Sequence, residues 1–200
     1  MDVTDRKRIG KVTRSTRETD ISCEFMIEGT GISNISTGIG FFDHMLQSFT
    51  KHGFFDMTLK CKGDLSVDTH HTVEDTGIVL GEALLEAMGD KTGIRRFGSF
   101  ILPMDDALVL CAVDLGGRPY LNFDLTFPQE TCGDMEMCMI REFFYAVSYS
   151  AKMNIHLKML DGMNSHHIAE AAFKAFAKAM DMALSYDKRI EDVLSTKGSL

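Results

Sequence analysis

The chain contains one helix-start motif twice, and this repeat limits what the chain can fold into. The motif His-His-x-x-Glu is formed first by His70, His71 and Glu74, and again by His166, His167 and Glu170. Aligning MTLKCKGDLSVDTHHTVED with IHLKMLDGMNSHHIAEA keeps a Leu-Lys strand and the motif in matching places. A repeat that covers both a strand and the start of a helix indicates an internal duplication, with its junction near residues 92–96.

Apolar periodicity supports the duplication, because both halves run strands, helix, strand, helix. In the first half, extended chain over 8–29 precedes a short helix, DHMLQSFTKHG, which ends at Gly53. The alternating strand FDMTLKCKG follows, and then a helix that stops at Gly89. The second half repeats this order from RRFGSF to the amphipathic SHHIAEAAFKAFAKAMDMAL. We therefore predict an α+β fold of two half-repeats, 1–94 and 95–200, that form one compact unit.

Composition indicates which partners the protein can bind and in which compartment it folds. A net charge of -8 disfavours a nucleic-acid partner bound through bulk phosphate attraction. No apolar run approaches the roughly 20 residues needed to cross a bilayer, and the N-terminus lacks the apolar core of a signal peptide. The five cysteines contain no Cys-x-x-Cys pair, which favours a reducing cytoplasm over a disulfide framework.

Helical geometry gives the repeated motif a possible metal-binding role. His166 and Glu170, four residues apart, lie on one face, whereas His167 projects about 100° away. Adjacent histidines of this kind can serve two ions, each completed by another element or another subunit. Imidazole and carboxylate without sulfur suit Mn, Fe, Co or Zn, and an open octahedral site favours manganese. The alternative is a capped, solvated helix start, and repetition of the motif favours the metal site.

Two further sets of charged residues stand near the motifs. The cations could clamp a phosphate or could be isolated surface charges, and they are Arg95, Arg96, Arg118, Lys174 and Lys197. The acids could cap turns, or one could act as a general base, and they are Glu18, Asp43, Asp75, Asp105 and Asp106. Spacing alone leaves these alternatives open.

Taken together, several long segments resemble the imidazoleglycerol-phosphate dehydratase family. These are GFFDHML, DTHHTVEDTGI, RFGS with LPMDDAL, DLGGRPYL, NSHHIAEAAFKAFAKA and the terminal STKG, and the resemblance runs from Arg8 to Gly198. It implies duplicated half-domains, each a mostly antiparallel sheet with helices on one face, as in domain 2 of ribosomal protein S5. It also implies a homo-oligomer of 24 subunits with active sites between neighbours.

The same resemblance implies two Mn²⁺ ions per active site. Seven ligands follow from it, namely His44, His70, His71, Glu74, His166, His167 and Glu170. Where a common family pattern reads His-Phe-Phe, this chain has Glu142, which the internal repeat aligns with His44. We predict Glu142 as an eighth ligand, since carboxylate can replace imidazole on manganese. His156 is the rival for that position, although its strand favours a structural or outer role.

The implied reaction removes water from imidazole glycerol phosphate and yields imidazole acetol phosphate, in histidine biosynthesis. The resemblance assigns proton transfer to Glu18 and a catalytic role, through the metals, to the four motif histidines His70, His71, His166 and His167. It assigns phosphate binding to Arg96, Arg118, Lys174, Ser195 and Lys197. A chain of 200 residues has no room for the phosphatase domain of bifunctional relatives, so we predict a single activity.

Two other functions fit part of the pattern. A non-catalytic metal-storage shell would also use repeated His/Glu helices, but it does not explain the cations or Glu18. A metal-dependent hydrolase acting on a phosphorylated small molecule would release phosphate, whereas dehydration creates a ketone. Product analysis therefore separates these alternatives.

Overall fold

The computed structural model describes residues 7–200. Its four helices are α1 (Gly40–Gly53), α2 (His70–Met88), α3 (Met139–Ala151) and α4 (Ser165–Leu184). Its ten strands are β1 (Ile9–Ser15), β2 (Thr19–Met26), β3 (Ser33–Ser36), β4 (Asp56–Gly63), β5 (Phe97–Met104), β6 (Ala107–Asp114), β7 (Tyr120–Asp124), β8 (Thr131–Cys132), β9 (Met135–Glu136) and β10 (Asn154–Asp161).

The two large sheets repeat one topology. Their strand orders are β1-β2-β4-β3 and β5-β6-β10-β7, antiparallel except for the last pair of each, which is parallel. The aligned Leu-Lys strands occupy equivalent third positions, with Leu59 and Leu157 both buried. The predicted duplicated α+β fold is therefore confirmed, and each motif helix follows the equivalent strand of its half.

The helices connect the two halves. The helix α2 packs on β1 and β2 of its own sheet and on α3, while α4 packs on β5 and β6 and on α1. Phenylalanines join the pairs, since the ring centroids of Phe49 and Phe176 are 5.2 Å apart. Each motif helix thus lies beside a helix from the opposite half of the chain.

A glycine at the second position of the first strand in each sheet lets the motif helix approach closely. A Cβ at Gly10 would come within 1.9 Å of the Ala83 carbonyl oxygen, and a Cβ at Gly98 would meet that of Ala179 at the same distance. Any larger side chain would push the helix off its sheet. The Gly-containing starts of β1 and β5 therefore help to fix the positions of both motif helices.

The structure also differs from the prediction in detail. The helix α1 continues through Gly53, and Phe54 makes the left-handed turn with φ 58°. Gly53 is needed for space instead, because a Cβ there would come within 2.1 Å of the Phe55 ring. The short strands β3, β8 and β9 were not predicted. Among residues 7–200, no helix combines the length and apolarity needed to span a membrane.

Candidate metal centre and anion-binding residues

Three predicted ligands converge where α1 meets α4. Nε2 of His44 lies 3.6 Å from Oε2 of Glu170, and Nε2 of His166 lies 3.3 Å from the same oxygen. The donor atoms of all three residues lie within 4.8 Å of one another. Phe41 packs edge-on against the His166 ring, with centroids 5.1 Å apart, which restricts that ring. Two imidazoles and one carboxylate so arranged suit a divalent metal ion.

Glu170 is the buried member of this group, with 7% of its surface exposed. Nζ of Lys174, one turn further along α4, lies 2.8 Å from Oε1, which leaves Oε2 directed to the histidines. Burial raises the pKa of Glu170, but the hydrogen bond and charge of Lys174, with smaller effects of His44 and His166, bring that pKa below its ordinary value. The carboxylate is thus held ionised, as a metal ligand must be.

The first-half motif has a similar pair but a looser third position. Nε2 of His70 lies 3.4 Å from Oε2 of Glu74. Glu142, near the start of α3, instead pairs with Arg141 at 3.0 Å. Across residues 7–200, only His44, His166 and Glu170 form a three-donor group this tight. His156 lies apart on β10, where its ring is 5.5 Å from that of Tyr120.

The second histidine of each motif turns toward a carboxylate. Nδ1 of His71 lies 3.1 Å from Oδ2 of Asp64, and its Nε2 lies 3.8 Å from Glu18, in the β1–β2 turn. The hydrogen bond with Asp64, and then the charge of Glu18, raise the pKa of His71 against the effect of burial. The predicted proton-transfer group and a predicted ligand are therefore neighbours.

His167 has an equivalent arrangement in the second half. Its Nδ1 lies 2.5 Å from Oδ1 of Asp106, and its Nε2 lies 3.5 Å from Asp105, both in the β5–β6 turn. The hydrogen bond with His167, then those from the backbone of Met163 and Asn164, hold the pKa of Asp106 well below its usual range. In both motifs Nδ1 contacts one carboxylate, and Nε2 lies 3.5 to 3.8 Å from a second one.

Four predicted phosphate ligands gather at another place, around the C-terminal tail. The Arg96 guanidinium donates to both carboxylate oxygens of Asp114, at 2.7 and 3.1 Å, and to the Leu194 carbonyl. Together with residues 189–196, which include Ser195, it lines a groove of about 650 Å³. The tail ends beside the loop that carries Arg118, since a Cβ on Gly117 would lie 3.0 Å from the Leu200 carbonyl carbon.

These anion-binding candidates lie far from the predicted metal ligands of the same chain. The backbone N–H of Arg96 donates to Ala183 in the last turn of α4, whereas His166 and Glu170 occupy its first turns. A helix of 20 residues spans about 30 Å. Of the predicted phosphate residues, all of them within residues 7–200, Lys174 alone contacts a predicted metal ligand, Glu170. A small substrate cannot reach both groups within one subunit.

Other acids singled out from the sequence have structural contacts. Asp43 accepts hydrogen bonds from the backbone and hydroxyl of Thr37, and Asp75 accepts from Arg14 and Thr19. The alternative of a capped helix start also holds in part, because the Asn164 side chain caps α4 by accepting hydrogen bonds from the N–H groups of His166 and His167. A capped helix start and a predicted metal-ligand pair are thus compatible on one motif.

Sequence reasoning missed two contacts that fix the helix starts. Gln129 bonds the backbone N–H and hydroxyl of Ser165, through its side-chain and main-chain oxygens. Thr69, which precedes α2, donates its hydroxyl to Glu136 on β9. The segment around β8 and β9 has no counterpart in the first half, so aligning the two halves could not predict its contacts. The extra length before α3 was the one sequence feature that could have marked this segment.

Fold and site together define a class: a duplicated α+β protein with His/carboxylate groups suited to divalent metal at its repeated helix starts. The family model for imidazoleglycerol-phosphate dehydratase matches residues 37–180. The chain belongs to the imidazoleglycerol-phosphate dehydratase family.

Similar proteins cover nearly the whole chain. The imidazoleglycerol-phosphate dehydratase of Lachnoclostridium phytofermentans is 62% identical over 193 residues, covering 96% of this chain and 98% of the relative. That of Acetivibrio thermocellus is 57% identical over 190 residues, covering 95% and 97%. The crystal structure of the Pyrococcus furiosus enzyme in complex with (S)-C348 matches with a TM-score of 0.82 and 39% identity, covering 94% of this chain and 100% of that one. The Staphylococcus aureus enzyme matches with a TM-score of 0.81 and 36% identity, covering 90% and 99%.

Proposed function

We propose that this protein removes water from imidazole glycerol phosphate to give imidazole acetol phosphate, a hydro-lyase reaction of histidine biosynthesis. The observation that carries the proposal is the convergence of His44, His166 and Glu170 in a chain of this family. Neither a storage shell nor a phosphatase accounts for that family membership together with the separate anion-binding residues.

The proposed cofactor is Mn²⁺, two ions per active site. One ion takes His44, His166 and Glu170, and the duplication assigns His70, Glu74 and Glu142 to the other. We assign the diverging His71 and His167 to sites completed with neighbouring subunits, since their Nε2 atoms lie beside Glu18 and Asp105 of the two hairpin turns. When bound, such ions supply positive charge that stabilises electron density on the substrate's imidazole ring.

Glu18 is proposed as the proton-transfer residue. The proton to be removed sits on a carbon next to the imidazole ring and needs a base positioned beside it. The Glu18 side chain is 54% exposed and lies 3.8 Å from Nε2 of His71, so it can meet a substrate held at that histidine. Its carboxylate would take the proton from that carbon. Within residues 7–200, His71 is the one charged side chain paired with it.

Phosphate binding is assigned to Arg96, Arg118, Lys174, Ser195 and Lys197. Arg96 uses three N–H groups on Asp114 and Leu194, and a guanidinium has five, so two remain for a phosphate. Fixing the dianion orients the reacting carbon relative to the base. The four residues at the tail would serve a site whose metal ligands come from another subunit.

A homo-oligomer of 24 subunits, with active sites between neighbours, is part of the proposal. It is supported by the separation of about 20 to 25 Å along α4 between Ala183, which Arg96 contacts, and the predicted ligands Glu170 and His166. Each half-repeat, 1–94 and 95–200, then contributes one metal motif. We assign the protein to the cytoplasm, which agrees with its five free cysteines, and expect neither a nucleic-acid nor a membrane partner.

The decisive experiment follows turnover and particle mass in the same metal-stripped samples, before and after Mn²⁺ is added. The proposal expects ketone product and a large assembly to appear together. Assembly and metal uptake without ketone would instead identify a storage shell. Release of inorganic phosphate without ketone would identify a hydrolase.

A further inference from the structure

The side chain of Asp106 links the loop before α4 to the His167 ring. Its Oδ2 accepts the backbone N–H groups of Met163, at 2.7 Å, and Asn164, at 3.0 Å. Its Oδ1 meets Nδ1 of His167. Both backbone groups can only donate, so they fix the orientation of the carboxylate. The turn at the tip of the β5–β6 hairpin is thereby fastened to the loop that precedes the motif.

This arrangement determines which nitrogen of His167 carries the proton. A carboxylate only accepts, so Nδ1 must donate to it, and the neutral ring then has its lone pair on Nε2. Nε2 lies 3.5 Å from Oδ2 of Asp105, whereas Nδ1 makes the 2.5 Å hydrogen bond with Asp106, so the shorter contact holds the ring proton. A divalent metal needs that lone pair, and outer hydrogen-bond partners of this kind set ring orientation and basicity.

We propose that Asp106 is a positioning residue that holds His167 as the Nδ1–H tautomer and so prepares Nε2 to bind a divalent metal ion. The inference rests on the proposed metal-binding role of His167. It adds a residue that touches neither substrate nor metal and that acts through the imidazole and the α4 start.

The first half offers a matched comparison with a different constraint. Asp64 lies 3.1 and 3.2 Å from Nδ1 of His71 through its two oxygens. Within residues 7–200, its side chain has no other recorded hydrogen-bond partner, whereas Asp106 also holds Met163 and Asn164. An asparagine at position 64 can therefore rotate its amide oxygen toward Nδ1 of His71. An asparagine at position 106 cannot do the same for His167, because its NH₂ group would then face the N–H groups of Met163 and Asn164, which also donate.

The same substitution should then have different effects at the two positions. In Asp106→Asn the amide oxygen stays on the two backbone donors, and the NH₂ group points at Nδ1 of His167. That nitrogen must become the acceptor, which moves the proton to Nε2 and blocks the metal. In Asp64→Asn the oxygen can turn to Nδ1 of His71, and the tautomer is kept. Both variants lose one negative charge.

The test measures Mn²⁺ affinity of the metal-stripped wild type and both variants by isothermal titration calorimetry, with circular dichroism to check folding. We expect a loss of about 10- to 100-fold for Asp106→Asn at one class of site and a change of only a few-fold for Asp64→Asn. Equal losses would indicate that charge rather than tautomer matters, and would overturn the proposal. Wild-type affinity in a folded Asp106→Asn would also overturn it.

A second measurement does not depend on the folding of Asp106→Asn. Nitrogen-15 NMR of metal-free wild type labelled at histidine, at about pH 8.5 where ordinary imidazoles are neutral, reports the tautomer directly, with His167→Gln identifying the signal. An Nδ1–H signal for His167 is expected, and an Nε2–H signal would overturn the proposal. Turnover of the wild type tests the proposed function separately, so either idea can fail alone.

Discussion

His44 and Glu170 come from opposite halves of the duplicated chain, yet Nε2 of the histidine lies 3.6 Å from Oε2 of the glutamate. The contact exists because α1 of the first half packs on α4 of the second. Duplication alone would place each motif on its own sheet. The cross-packing of the helices is what brings a third predicted ligand to His166 and Glu170.

The substitution Glu170→Gln tests this group of ligands. It keeps the shape and one acceptor for Lys174 but removes the negative charge that a divalent ion needs. We expect Mn²⁺ affinity to fall at least about 10-fold, with a stability loss of about 1–3 kcal/mol because Lys174 loses its charged partner. Calorimetric titration and thermal unfolding measure the two effects. Glu82→Gln, an exposed position on α2, is the control, and unchanged affinity in folded Glu170→Gln would contradict the assignment.

Glu18→Gln should separate catalysis from metal binding. Removal of a general base lowers kcat by about 10²- to 10⁴-fold, whereas Mn²⁺ content and particle mass should stay at wild-type values. The side chain is 54% exposed, so the free energy of unfolding should change by less than about 0.5 kcal/mol. Glu24→Gln, similarly exposed at 52% on the next strand, is the matched control. Loss of metal along with turnover would instead make Glu18 a ligand.

The eighth ligand can be decided between Glu142 and His156. If Glu142 completes the second site, Glu142→Gln should lower bound manganese from two ions toward one per chain, and Glu142→His should restore it. His156→Gln should leave the content unchanged, because that ring lies on β10 beside Tyr120. Elemental analysis after gel filtration measures the stoichiometry. The reverse pattern would assign the position to His156.

The sequence predicted the fold well because its signals were local and repeated. The periodicities that end at Gly89 and begin at Ser165 match α2 and α4, and the repeat predicted equivalent sheets. Contacts between residues that are distant in the chain were harder to predict. Asp106 lies 61 positions before His167, and no spacing rule links a hairpin turn to a helix that begins so much later in the same half-repeat. Only the folded hairpin brings them together.

The anion-binding residues illustrate a different limit. Resemblance grouped Lys174 with Arg96 as phosphate ligands, but α4 separates their surroundings within one subunit: Lys174 contacts Glu170, and Arg96 contacts Asp114 and the tail. Sequence patterns carry no information about which copy of the chain supplies a residue. The separation becomes visible only when both ends of the helix are located.

Arg96→Lys should weaken substrate binding more than it weakens chemistry. Lysine is a single point charge and cannot span Asp114 and the Leu194 carbonyl while contacting a phosphate. We expect KM to rise at least about 10-fold, equivalent to about 1.4 kcal/mol, with a smaller change in kcat. Arg95→Lys is the control, because that side chain is half exposed and lies 3.8 Å from Asp187. A fall in kcat at unchanged KM would place Arg96 in the chemical step instead.

Asp187 should make the stability of the tail region depend on pH. The Arg189 side chain, then the Arg189 backbone N–H, donate hydrogen bonds that hold the pKa of Asp187 well below its unfolded value of 3.8, against the effect of burial. A depressed folded-state pKa stabilises the protein above the unfolded pKa, and that stabilisation is lost as pH falls through the folded value. Asp187→Asn should therefore unfold at lower temperature than wild type at pH 7.

The gap between the two unfolding midpoints should shrink steadily below about pH 4, because wild-type Asp187 then takes up the proton that the amide never binds. Thermal unfolding of both proteins from pH 7 to about pH 2 measures it. Asp124→Asn, whose carboxylate is 64% exposed and 3.8 Å from Lys158, should show little gap at any pH. A gap for Asp187→Asn that stays constant or widens in acid would mean that packing, and not the ion pairs with Arg189 and Arg95, accounts for its contribution.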